Sequence, residues 1–149
     1  MPRYQNNQLW YECQLVAVWN AIRFWGGGEN LPVMGTPSYK QACEHARAIV
    51  GGVIDLDREL EIYNVHRVRG KYDLRWIRSH LPVHFAVFCH RGYHSVLAVG
   101  IYGSSLLLAN YARNRLHWMP WSILLSKANK RVKPLQYVVD QLAARSRPS

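Results

Sequence analysis

From Leu74 to the end of the chain there is one acidic residue, Asp140, against eleven lysines and arginines. The second half is therefore a basic surface, and a field of that sign attracts nucleic acid, acidic proteins or anionic lipid without choosing among them. Cysteine is scarce too. Cys13, Cys43 and Cys89 form an odd and sparse set, which excludes a disulfide framework and fits a reducing compartment. No apolar run approaches eighteen residues, and the first ten, MPRYQNNQLW, lack the apolar core of a signal peptide. The expectation is a cytoplasmic protein without a membrane span. Repeats, low-complexity segments, a nucleotide-binding loop and a nicotinamide site are all missing, so no cofactor is expected. Cys43 with His45 and Cys89 with His90 do not have zinc-knuckle spacing, and no metal is expected either.

What is present is 149 residues, enough for one domain spanning 1–149 that buries roughly two thirds of its unfolded surface. The stretch Gln8 to Trp25, QLWYECQLVAVWNAIRFW, reads as a strongly apolar helix opened by Cys13. Leu15, Val16, Val18, Trp19, Ile22 and Trp25 recur at spacings of three and four, which predicts a broad buried stripe and a central helix. Gly26, Gly27 and Gly28 stop it. A cysteine in the first turn faces the positive end of the helix dipole, where thiolate is favoured.

A loop with Pro32, Gly35 and Pro37 follows, and Ser38 is the expected cap of a helix from Tyr39 to Val50, ended by Gly51 and Gly52. Asp55 to Tyr63 is either a short helix or an acidic connector. Val65 to Arg69 is expected as a strand, and Asp73 as the cap of a helix from Leu74 to His80. From Val83 the period becomes two. Val83 to Cys89, His94 to Ile101 and Leu106 to Tyr111 are expected as strands of an antiparallel meander, so helices precede a sheet in an α+β fold. Trp118, Pro120 and Trp121 are read as cover for the open edge of that sheet, His84 and His117 as surface histidines, and the basic tail from Ala143 as loose polar chain.

Three-residue hairpin loops commonly end on a left-handed glycine, and Ile101, Tyr102 and Gly103 fit one. That register pairs Gly100 with Ser104 and sets His94 opposite Asn110, close enough for an imidazole to meet a carboxamide.

A thiol at a helix N-terminus, a histidine and an amide that orients it are the parts of acyl transfer by cysteine. In Cys13, His94 and Asn110 the chain resembles the papain-like cysteine peptidases, and the compact C39-like group most closely. The resemblance rests on QLWYECQLVAVWNA, on GYHSVLAVGIYG and on LLLANYA, in that order. It implies a papain-like fold with the cysteine helix packed on the sheet that carries His94 and Asn110, and a thiol hydrolase cleaving a peptide or isopeptide bond in a protein substrate. It also implies an oxyanion site built from Gln8 or Asn7 with the Cys13 N–H. The family's glutamine stands six residues before the cysteine, whereas Gln8 stands five before and Asn7 six. Asn110 replaces the Asp more common in the C39-like group. Transglutaminase-like acyltransferases use a related set and are the enzymatic neighbour. The alternative from another class is an inactive scaffold that binds through Lys127, Lys130, Arg131 and Lys133, as part of a larger complex or virus particle.

Overall fold

The computed structural model describes residues 3–6, 12–49, 54–89, 92–112, 115–129 and 139–144. Among them the elements run α1 (Cys13–Phe24), α2 (Pro37–Ile49), α3 (Leu56–Ile62), β1 (Val65–Arg69), α4 (Leu74–Ser79), β2 (Val83–Cys89), β3 (Gly92–Tyr102), β4 (Ser105–Ala112), β5 (Arg115–Pro120), α5 (Trp121–Asn129) and β6 (Val139–Ala144). The strands form one six-stranded antiparallel sheet in the order β1, β6, β2, β3, β4, β5. The fold is α+β.

Local chemistry sets the helix boundaries. Asp55 accepts from the Asp57 N–H at 3.3 Å and Asp73 from the Arg75 N–H at 2.9 Å, capping α3 and α4. The acidic stretch after Asp55 is thus a helix. α2 begins two residues before the expected start, because Pro37 occupies its first turn and Thr36 rather than Ser38 caps it, accepting from Tyr39 N at 3.3 Å. Gly26, at φ 91°, turns the chain out of α1.

Two apolar layers clasp the sheet. Val83, Phe85, Val87, Val96, Ala98, Leu106 and Leu108 pack on one face with Ile77 of α4 and Leu124 of α5. On the other, Leu97, Ala109 and Leu142 meet Val18 and Ala21 of α1 and Leu56 and Leu60 of α3. The far side of α1 is apolar as well: Leu15, Val16 and Trp19 pack on Tyr39, Cys43 and Ala46 of α2. α1 is therefore buried on two sides rather than along one stripe, as befits a helix that is apolar nearly all round.

The β3–β4 hairpin departs from expectation. Tyr102 pairs with Ser105, so the loop has two residues, Gly103 and Ser104, and Gly103 takes φ 57° at the first turn position. An irregularity between Ala98 and Gly100 then shifts the register, and the ladder closes on Leu97 opposite Ala109. His94 is not the register partner of Asn110.

Three further expectations change. Ala143 and Ala144 belong to β6, paired with His66 and Val65 of β1, so the loose tail does not begin at Ala143; residues 145–149 lie outside the described residues. His84 is 2% exposed, opposite Asp140 at 1%. That carboxylate lies 3.3 Å from Arg69 Nε, 3.7 Å from Arg67 Nε and 3.9 Å from His84 Nδ1. A buried charge persists only with such partners, and the one acid of the second half is thereby withdrawn from the surface. Finally, Trp121 covers the sheet as expected, its ring beside Tyr72 and Phe85, but Trp118 is 52% exposed.

Candidate active site

Cys13 is the first residue of α1 and is buried. Two turns farther along the helix, Ala21 packs with Leu97 and Ala109 of the sheet. Trp25, at the opposite end of α1, donates its indole N–H to the Leu142 carbonyl on β6 at 3.0 Å. Cys13 therefore lies at the end of the helix directed away from β6.

Carboxamides that sequence reasoning passed over secure the chain leading to this cysteine. Asn20, fully buried in α1, accepts from Gln5 N at 2.9 Å and donates to the Gln5 carbonyl at 2.8 Å. The Gln5 side chain in turn accepts from Met34 N at 2.7 Å. Asn6 donates to the Ala112 carbonyl of β4 at 2.8 Å. These bonds tie residues 3–6 to α1, to the loop before α2 and to β4. The sequence signal was a polar Asn in the middle of an apolar helix, which demands a buried partner. Gln8 and Asn7, the oxyanion candidates, lie outside the described residues.

His94 and Asn110 are brought together, by a different atom from the one expected. His94 Nε2 lies 2.5 Å from the backbone carbonyl oxygen of Asn110, sixteen residues on. A carbonyl only accepts, so Nε2 carries the proton and Nδ1 of the neutral ring keeps the lone pair. Asn110 itself adopts φ 65°, in the left-handed region that asparagine tolerates better than most residues. With Arg3, Tyr4, Gln5, Asn6 and Arg115, Asn110 lines an open cavity of about 360 Å³. Burial holds the His94 imidazole below its usual pKa, and the Asn110 carbonyl opposes that shift.

The unbroken β2–β3 register pairs His94 with Val87, so its Cβ leaves the sheet on the face opposite α1. Beyond Leu97 and Ala109, however, β3 and β4 are no longer paired. The ring spans that gap to a main-chain carbonyl instead of standing away from the sheet. Among the described residues no hydrogen bond joins Cys13 to His94.

No family model, curated protein or solved structure matches this chain.

The other candidates separate clearly. Cys43 packs in the α1–α2 layer, where burial and the neighbouring Glu12 push its thiol up to about 12. It is thus a poor nucleophile at neutral pH. His117 lies against the Tyr111 ring, centroids 4.8 Å apart. His84 is enclosed with Asp140. No helix among the described residues is long and apolar enough to cross a membrane.

Proposed function

We propose that this chain is a cysteine peptidase of the papain-like, C39-like type, with Cys13 as nucleophile, His94 as general base and Asn110 as the group that orients His94. The observation that carries the reading is the His94 contact with Asn110. It fixes the tautomer in which Nδ1 is free to take a proton. Support comes from Cys13 at the N-terminus of a helix that has no side-chain cap to occupy its first N–H groups. The strand order, cysteine helix first and then two neighbouring strands bearing His94 and Asn110, is that of the family the sequence resembles.

In the proposed reaction His94 Nδ1 takes the Cys13 proton and the sulfur attacks the substrate carbonyl. The tetrahedral intermediate collapses as His94 returns that proton to the leaving amine. Water, deprotonated by the same nitrogen, then releases the acyl group. Cys13 and His94 share no hydrogen bond among the described residues, so the reading requires the sulfur and the imidazole to meet in the reacting complex.

A decisive test is reaction with a panel of peptidyl vinyl sulfones, read by intact mass and peptide mapping. The reading expects a single adduct on Cys13 that forms far more slowly in His94→Ala. An absent adduct, or equal labelling of His94→Ala, would overturn it.

One observation favours a second reading. His94 departs from the sheet on the face away from α1, which suits a scaffold that keeps the architecture without the chemistry and binds a polyanionic partner. Under that reading Cys13→Ala leaves binding intact and salt weakens it.

A further inference from the structure

The end of β3 remote from His94 carries the most exposed aromatic surface among the described residues. Tyr102 is 82% and Trp118 52% exposed, and Ile123, at the start of α5, is 48% exposed. The register explains how the first two are arranged. Gly100 pairs with Leu107 and Leu107 with Trp118; Tyr102 pairs with Ser105 and Ser105 with Pro120. Paired residues and residues two apart share a face. Tyr102, Leu107 and Trp118 therefore stand on one face of the sheet, and Gly100 leaves the space beside Leu107 low. Two strand spacings and a two-residue offset separate Tyr102 from Trp118 by about 12 Å.

The cation nearest this platform comes from α4, which packs on the opposite face of the sheet through Ile77. Arg78, exposed on α4, donates to the Gly103 carbonyl at 3.0 Å, which anchors a guanidinium next to Tyr102. No residue after Asp73 except the buried Asp140 is acidic, so none of the three strands of the platform carries a carboxylate. Flat aromatic rings on an open sheet with a guanidinium held at the adjoining turn suit stacked bases and a phosphate backbone. An anionic membrane would be met better by apolar tips projecting from a loop than by side chains set across three strands around a half-buried Leu107.

We propose that the sheet face formed by Tyr102, Leu107 and Trp118, with Arg78 at its margin, binds single-stranded nucleic acid by base stacking. This surface lies apart from Cys13 and His94 and does not depend on their chemistry.

The test is fluorescence anisotropy of labelled dT20 and U20 with the full chain at about 50 and 200 mM salt. Tyr102→Ala and Trp118→Ala are each expected to weaken binding roughly tenfold, while Trp118→Phe retains most of it. Arg78→Gln is expected to lower the salt dependence by about one counterion. Both aromatic side chains are exposed, so the melting temperatures of the variants should match the parent and loss of binding cannot be put down to unfolding. Wild-type affinity in the Tyr102→Ala, Trp118→Ala double variant would overturn the proposal. So would equal affinity for a 20-bp duplex, binding confined to phosphatidylserine vesicles, or self-association through the β5 edge with no binding of either oligonucleotide.

Discussion

The two ends of β3 are built in opposite ways. At one end His94 is half-buried, hydrogen-bonded to the Asn110 main chain and held below its ordinary pKa by burial. At the other, Tyr102 stands almost wholly in solvent beside a two-residue turn. Between them Val96, Leu97 and Ala98 are fully buried and lock the strand. The contrast teaches that a rigid, buried centre lets one strand enclose a side chain at one end and leave another in solvent at the other.

The sharpest way to break the comparison is at the enclosed end. Replacing Cys13 with Ala should abolish peptide hydrolysis, by at least ~10³-fold in kcat/KM. Oligonucleotide binding should be unchanged, so activity and anisotropy measured on one preparation would separate the two ends.

Stability should show the rigid centre next. Leu97→Ala removes a fully buried side chain between the sheet and α1 and should cost about 2–5 kcal/mol in urea unfolding. Tyr102→Ala should stay within about 0.5 kcal/mol.

Asn110 offers a finer cut. Because its carbonyl, not its carboxamide, receives His94, Asn110→Gly keeps both φ 65° and the contact. Asn110→Val opposes that conformation and should cost about 1–2 kcal/mol. Imidazole ¹⁵N shifts would report the tautomer: Nε2–H in the parent and in Asn110→Gly, mixed in Asn110→Val.

The smallest expected effect is on pH dependence. The unfolded imidazole titrates near about 6.5, and burial lowers the folded value. The unfolded state therefore binds the proton more readily. His94 contributes stability above about pH 6.5 that is lost as the pH falls through the lower folded value. Urea midpoints between pH 7.5 and 5 should drop less in His94→Gln than in the parent.

Much of this architecture could be read from residue pattern, because period and capping are local. α1, β1, β2 and the Asp73 cap of α4 lie where apolar spacing and turn residues put them. Register was not legible. It depended on Gly103 taking a two-residue turn and on the irregularity beside Gly100, neither of which hydrophobic alternation encodes. β6 was hidden for a different reason. VDQLAA looks polar until Arg67, Arg69 and His84, from two other strands, gather round Asp140. Within the candidate site the sequence pointed to His94 and Asn110 as neighbours, but the atom that joins them follows from the positive φ of Asn110, a backbone feature with no compositional signature.

The central claim is that Cys13 is activated by His94 while Cys43 is inert. It is tested most directly by the rate of iodoacetamide alkylation at each cysteine between pH 5 and 9, mapped by mass spectrometry in the parent and in His94→Ala. The account predicts rapid labelling of Cys13 well below pH 8, its loss in His94→Ala, and negligible labelling of Cys43, whose thiol is pushed up to about 12. Slow labelling of Cys13 that follows an ordinary thiol profile and ignores the His94 substitution would contradict it.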